Sequence, residues 1–233
     1  MNAKKPPRKS KYLLGKAARF ISQHFLLKPI LKTKVTPNHI TALSVICCII
    51  LATFYSFASN IFNIFALVFF ILFIVLDHLD GDLARYLGRE TVAGELFDSI
   101  AGKIAFILTY LGICLGQAKL YNSGFIWLLG FIIMAGFFGF QSLMFKRQLL
   151  ELKNNLQANK LNPNQMQPER TSILRTIIRE ITDVYMGLCY LIIIGSLVDR
   201  LYYTLILSAV YIWLYYLYES LKTIVAFSRI PRE

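Results

Sequence analysis

Charged residues are scarce in this chain of 233 residues. Asp, Glu, Lys and Arg together make up 16% of it, whereas hydrophobic residues make up 56%. A soluble globular domain has about 25% charged and about 45–50% apolar residues. The shortage of charge therefore excludes an ordinary soluble domain, and the abundance of apolar residues excludes an intrinsically disordered chain.

Cysteine and histidine are also few. The four cysteines fall inside apolar segments without the short spacing of metal ligands, and the three histidines are scattered along the chain. Cysteines in such positions are typical of small buried hydrophobic residues. We therefore expect neither residue type to form a metal site.

The chain contains long stretches without charged residues. No Asp, Glu, Lys or Arg lies between Lys34 and Asp77, which leaves room for two membrane crossings of about 20 residues each. The polar residues Ser56, Ser59 and Asn60 mark the break between them. Four more spans are predicted near residues 96–115, 120–145, 181–198 and 201–221. The sequence thus predicts an all-α integral membrane protein with six transmembrane helices.

The formal net charge of +12 is unevenly distributed. Residues 1–38 contain ten basic residues and no acidic one, and 22 of the 25 Lys and Arg residues fall on one side of the predicted topology. By the positive-inside rule, this side is cytoplasmic and holds both termini. We expect a location in a prokaryotic inner membrane, where the basic excess favours contact with anionic lipid over nucleic acid.

The N-terminal pattern divides the chain into two parts. Residues 1–38 are predicted to form a basic, amphipathic segment on the cytoplasmic interface; the alternative is a solvated tail that only sets the orientation. Residues 39–233 then form the six-helix membrane domain, with a polar cytoplasmic loop at about 146–175. The apolar residues at helical spacing in the first part are Tyr12, Leu13, Ala17, Phe20, Ile21 and Leu27, interleaved with Lys16, Arg19 and Gln23.

Acidic residues are concentrated in one short stretch. Six of the 13 lie there: Asp77, Asp80, Asp82, Glu90, Glu95 and Asp98. Asp77 and Asp80 share a helix face, and Asp98 opens the next span, so a helical hairpin brings three carboxylates together. Such an oxygen-rich group suits Mg²⁺ or Mn²⁺. The alternative is that the acids only pair with Arg85, Arg89 and Lys103 at the membrane surface.

The spacing in this stretch resembles a family signature. The residues Asp77, Asp80, Gly81, Ala84 and Arg85, followed by Gly94 and Asp98, occupy seven of the eight fixed positions of D-x-x-D-G-x-x-A-R-x(8)-G-x-x-x-D-x-x-x-D. This is the signature of the CDP-alcohol phosphatidyltransferase family. Upstream, residues 36–41 read T-P-N-H-I-T and are similar to the T-P-N-x-x-T element that leads into the family's first span.

The resemblance implies an activity and a set of site residues. Family members transfer a substituted phosphate from a CDP-alcohol, such as CDP-diacylglycerol, to an acceptor hydroxyl and release CMP. By matching position, Asp77, Asp80 and Asp98 would bind two divalent metal ions, and the protein would be a homodimer with its active site facing the cytoplasm. The residues implied in binding the CDP part are Asn38, Thr41, Gly81, Ala84, Arg85, Thr91 and Gly94.

The chain departs from the signature at its last position. Gly102 stands where the family has an Asp that accepts the proton and binds the second metal ion. Glycine can do neither through its side chain, and a positioned general base contributes about 10²- to 10⁴-fold to a rate. The departure leaves the catalytic base and the second metal ion open.

Three hypotheses account for the missing carboxylate. Glu95, on the same helical face as Asp98, supplies a substitute base, whereas Asp82 is predicted to point away from Asp80 into solvent. Alternatively, the acceptor's own phosphate or a metal-bound water takes the proton. In the third, the chain binds CDP-alcohol or metal without transfer and acts as a scaffold or regulator. A cation transporter is disfavoured, because the acids lie at the end of the spans rather than near the midplane.

Overall fold

A computed structural model describes residues 12–158 and 184–228, which are helical apart from short connections and contain no strand. A short π-helical segment, Ser22–Leu26, joins the first two helices. Eight α-helices lie within these described residues; in chain order they are α1 (Leu13–Ile21), α2 (Leu27–Ile30), α3 (Pro37–Tyr55), α4 (Asn60–Leu87), α5 (Val92–Tyr121), α6 (Phe125–Ala158), α7 (Val184–Leu197) and α8 (Leu201–Phe227).

Five of these helices, α3, α4, α5, α6 and α8, are long and apolar enough to cross a membrane. Many of their large apolar side chains are exposed, including Ile46, Val68 and Phe131, which is how helices in contact with lipid behave. The predicted fifth span corresponds to α7, an apolar helix of 14 residues within the described part of the chain. The chain is thus an integral membrane protein, and six spans with cytoplasmic termini remain a prediction.

Helix α6 is longer than the sequence predicts. It continues from Phe125 to Ala158, past the expected end of the span near residue 145. The first part of the segment that was expected to be a polar loop is therefore helical, since residues 146–158 contain no glycine or proline that would end the helix. Residues 159–183 lie outside the described part of the chain.

Local sequence signals explain where the helices of the site begin and end. Thr36 caps α3, and its backbone N–H donates to Nδ1 of His39 at 3.3 Å, which forms a capping box. Pro37 follows at the first helical position, where the missing N–H costs nothing. Helix α4 ends at Gly88, which adopts φ +62° in the left-handed region that glycine tolerates best.

The N-terminal helix packs on the membrane domain. Ala18 and Ser22 are buried against α4, whereas Phe20 and Phe25 are 56% and 65% exposed. One side of the helix is thus buried on the bundle and the other exposes aromatic rings, and its position on the membrane surface stays a prediction. The segment is also fixed to α4 through polar contacts at Asp82, which are described below.

Two glycines let α5 pack tightly against α3. A Cβ atom on Gly112 would lie 2.5 Å from the carbonyl oxygen of Ala52, and one on Gly116 would collide with the carbonyl oxygen of Tyr55. Such contacts leave no room for any other side chain. The close approach of α3 and α5, together with the short connection to α4, brings three helix ends to one side of the bundle.

Candidate active site

A cavity of about 800 Å³ lies where the start of α3, the end of α4 and the start of α5 meet. Nearly every residue that the sequence places at a nucleotide or metal site lines it. These are Asn38, Thr41, Asp80, Gly81, Ala84, Arg85, Thr91, Gly94 and Asp98, together with Glu95. The four remaining lining residues are Pro37, Arg89, Glu90 and Val92.

Asp80 is a buried carboxylate on the wall of this cavity, with only 4% of the residue exposed. Its Oδ2 accepts a 2.5 Å hydrogen bond from Oγ1 of Thr41, and its Oδ1 accepts one from the backbone N–H of Gly81. Thr41 lies on α3, so this bond joins the T-P-N-x-x-T element to the acidic stretch. The two elements are thereby brought to the same place in the fold.

Asp98 and Asp77 lie on either side of this residue. Asp98 is exposed and lines the cavity. Asp77 does not line it, and its Oδ2 lies 3.7 Å from Nδ1 of His78. The charge of Asp98 interacts with those of both Asp77 and Asp80. The three predicted metal ligands are thus neighbours, but only two of them face the cavity.

The predicted three-carboxylate site is not assembled to ligand distance. Within residues 12–158 and 184–228, no group of three His, Cys, Asp or Glu side chains is arranged to hold a metal ion. Asp80 and Asp98 still fit a hard cation chemically, since both offer carboxylate oxygens to one cavity.

Asp82 does not face solvent, which corrects the expectation from the sequence. It is buried, and its Oδ2 accepts a 2.7 Å hydrogen bond from Nε2 of Gln23. Its Oδ1 lies 3.0 Å from Nη1 of Arg85 and 3.6 Å from Nη1 of Arg19. The sequence-based prediction was wrong because it did not foresee that the N-terminal segment covers this face of α4.

The acids of the stretch divide into two groups. Asp82 and Glu90 are paired with cations, since Oε1 of Glu90 lies 3.6 Å from Nε of Arg85. In contrast, Asp80 and Asp98 have no Lys or Arg within ion-pairing distance in the described part of the chain. Pairing with nearby cations therefore explains Asp82, which is buried, and Glu90, but Asp80 and Asp98 form no such ion pair among the described residues.

The opposite side of the cavity is built from small and capping residues. Oγ1 of Thr91 caps α5 by accepting a 3.0 Å hydrogen bond from the backbone N–H of Gly94. A Cβ on Gly94 would lie 3.1 Å from that oxygen and 3.9 Å from Oδ1 of Asn38. A Cβ on Gly81 would lie 3.6 Å from Nη2 of Arg85. These glycines keep the backbone open, so a ligand can approach it closely.

Gly102 lies one helical turn after Asp98 on α5. A Cβ at this position would meet nothing within 4 Å. The absence of a side chain is therefore not required by packing, which distinguishes Gly102 from Gly112 and Gly116 on the same helix.

Arg89 and Glu90 line the cavity but were not predicted as site residues. They fall in the eight-residue spacer of the signature, where the pattern specifies no residue type. Arg89 follows the left-handed turn at Gly88, and its backbone N–H donates to the carbonyl of Ala84. Only the folded turn reveals that the spacer bends back over the cavity.

Comparison with known proteins identifies a family that matches this part of the chain. A family model described as CDP-alcohol phosphatidyltransferase matches residues 34–178, well over half of the chain. The matched segment contains all the lining residues of the cavity. A search of the curated proteins found no match.

Proposed function

Because the chain belongs to the CDP-alcohol phosphatidyltransferase family, we propose that it transfers a substituted phosphate from a CDP-alcohol to an acceptor hydroxyl. The CDP-alcohol is a lipid such as CDP-diacylglycerol, and CMP is released. The product is a phospholipid, or a related glycolipid or polyol phosphate. The donor enters the cavity sideways from the membrane, where its acyl chains remain.

One observation carries this proposal most strongly: two carboxylates that line the cavity, Asp80 and Asp98, form no ion pair with a Lys or Arg among the described residues. Burying or clustering such groups is costly, and in membrane proteins it marks sites with a cationic partner. Asp80 and Asp98 repel each other electrostatically, so an arrangement that served stability alone would place a cation between them. A divalent metal ion held by these carboxylates would supply this charge.

The metal ligands in this proposal are Asp77, Asp80 and Asp98. These carboxylates would hold one or two Mg²⁺ or Mn²⁺ ions, which would supply positive charge against the pyrophosphate and against the charge that develops as the phosphorus–oxygen bond breaks. Thr41 orients Asp80 through its 2.5 Å hydrogen bond. Asp77, whose Oδ2 lies 3.7 Å from Nδ1 of His78, would have to turn toward the cavity to join them.

The remaining lining residues hold the CDP part. Arg85 offers a planar set of N–H donors to phosphate oxygens, and its guanidinium lies across Gly81 at the cavity wall. Asn38 and Thr91 offer polar side chains on the other side, with Ala84 and Gly94 leaving space between them. The cavity is therefore polar around the nucleotide and open toward the acceptor.

The proton of the acceptor hydroxyl has two routes in this proposal. Glu95 lines the same cavity and has no hydrogen bond or ion pair through its side chain among the described residues, so it is available as a base. The acceptor's own phosphate is the other route, and the open space at Gly102 then admits this bulkier group.

The site faces the cytoplasm in this proposal, in a prokaryotic inner membrane. The cavity lies at the end of the bundle to which the basic N-terminal segment is attached, and positive charge marks the cytoplasmic side. Anionic lipid binds the basic segment. A homodimer is proposed from the family resemblance alone.

An assay of CMP release tests the proposed function. Purified protein is incubated with CDP-diacylglycerol or another CDP-alcohol, Mg²⁺ or Mn²⁺, and a panel of polyol, polyol phosphate and sugar acceptors. We expect release of CMP that depends on the metal and on one class of acceptor. Silence with every donor and acceptor would contradict the proposal.

Gly102 favours one second candidate, a family member that binds CDP-alcohol or metal without transfer and acts as a scaffold or regulator. In that case, CDP-diacylglycerol raises the melting temperature only when metal is present, and no CMP appears. The two candidates therefore differ in one measurable product.

A further inference from the structure

The N-terminal segment reaches the candidate active site through one buried carboxylate. Asp82 lies in α4 between the motif residues Gly81 and Ala84, at a position where the signature specifies no residue type. Its side chain is fully buried. It accepts contacts from two different parts of the chain, the segment before the first span and the motif itself.

The contacts at Asp82 form a chain of polar groups. Nε2 of Gln23 donates to Oδ2 at 2.7 Å, and Nη1 of Arg19 lies 3.6 Å from Oδ1. The same Oδ1 accepts a 3.0 Å hydrogen bond from Nη1 of Arg85. Gln23 therefore holds one oxygen of the carboxylate while Arg85 is held by the other.

These polar contacts around Asp82 fix how Arg85 enters the cavity. Its guanidinium is contacted along one side by Asp82 and at Nε by Glu90, while Nη2 passes over Gly81 toward the cavity. A guanidinium held at two points presents its other N–H groups in a fixed direction. If the Gln23 contact were lost, Oδ2 of Asp82 would lack this hydrogen bond, and the carboxylate would fix that direction less firmly.

We propose that Asp82 is a positioning residue and that Gln23 and Arg19 of the N-terminal segment hold it, so that the docked segment sets the orientation of Arg85 toward the CDP-alcohol. The inference rests on the proposed CDP-alcohol site. It makes the interfacial segment part of the nucleotide site rather than only a membrane anchor.

The same segment faces the membrane with its other side. Phe20 and Phe25 are exposed next to the residues that contact Asp82. Contact of these rings with lipid and contact of Gln23 with Asp82 therefore occur in the same docked position. Release of the segment from the membrane surface would loosen Arg85 at the same time.

A double-mutant cycle between Gln23→Ala and Arg85→Ala tests the proposal. The measured quantities are the dissociation constant for a short-chain CDP-diacylglycerol with Mg²⁺ in detergent, and the melting temperature without ligand. We expect Gln23→Ala to weaken binding about five- to tenfold in the wild-type background, and less than twofold when Arg85 is already alanine. Lys16→Ala, which removes an exposed cation from the same segment, should leave binding unchanged.

Asp82→Asn provides a second test, at the carboxylate that Gln23, Arg19 and Arg85 all contact. It keeps the shape of the side chain and an oxygen that accepts from Gln23 but removes the charge that pairs with Arg85, and we expect it to weaken binding about tenfold. If this variant does not fold, the double-mutant cycle between Gln23 and Arg85 alone tests the proposal, because neither of its substitutions changes the buried carboxylate of Asp82.

The outcomes separate the inference from the function it rests on. Suppose that the wild-type protein binds CDP-diacylglycerol and that the effects of Gln23→Ala and Arg85→Ala on the dissociation constant simply multiply in the double mutant. This result would overturn the inference and leave the proposed function intact. A Gln23→Ala variant with a lower melting temperature and unchanged affinity would do the same, because it shows a structural role only. A wild-type protein that binds no CDP-diacylglycerol would overturn both.

Discussion

Replacement of Asp80 by alanine is expected to abolish CMP release while the protein remains folded. The loss should be at least about 10²-fold, the range produced by removing one electrostatic contact to a transition state. Stability should not fall, because the variant removes a buried charge that Asp77 and Asp98 repel. The hydroxyl of Thr41 still has an acceptor in this variant, because the carbonyl oxygen of Pro37 lies 3.2 Å from its Oγ1. The measurements are initial rates of CMP release and the melting temperature in the same detergent.

Two further variants make this prediction specific. Asp80→Asn keeps the size of the side chain, so the same loss of activity would assign the effect to the charge. Asp199→Asn is the matched control, because Asp199 accepts a 2.7 Å hydrogen bond from Asn63 at the opposite end of α4 and should not affect the rate. An Asp80→Ala variant with wild-type activity would remove the acidic cavity from the mechanism.

Replacement of Gly102 by aspartate is expected to increase the rate of CMP release. The new carboxylate would lie one turn after Asp98 in space that nothing else occupies, since a Cβ there meets no atom within 4 Å. A positioned general base contributes about 10²- to 10⁴-fold, and we expect a gain toward the lower end of this range. The rise should be measured at saturating donor, where it reports the chemical step.

Gly102→Asn separates the base from the shape of the side chain. It fills the same space without a carboxylate, so it should give no increase. An unchanged or lower rate with Gly102→Asp would show that the missing carboxylate does not limit turnover. In that case, Glu95→Gln distinguishes the remaining routes, because it slows the reaction only if Glu95 accepts the proton.

Much of the fold could be predicted because its signals are local. The absence of charge between Lys34 and Asp77 predicted two membrane helices, and the break at Ser56 and Asn60 separates α3 from α4 as expected. The resemblance of the acidic stretch to a family signature is confirmed by the family model. These features depend on composition and spacing, which the sequence displays directly.

The arrangement of individual acids could not be predicted, because it depends on distant contacts. Asp82 is buried by Gln23, which lies 59 positions earlier in the chain, and periodicity within α4 contains no sign of this contact. Asp77 matches the signature yet does not line the cavity, since its side chain turns toward His78. Rotamers and long-range packing of this kind are set by the whole fold.

A structure determined with Mn²⁺ and a CDP-alcohol bound tests the central claim most directly. We predict the CDP part in the cavity between α3, α4 and α5, with its phosphates beside Arg85. Anomalous scattering should place at least one Mn²⁺ ion on Asp80 and Asp98, with Asp77 rotated to join them. A nucleotide bound elsewhere, or a cavity that holds nucleotide without any ion on these carboxylates, would contradict the account.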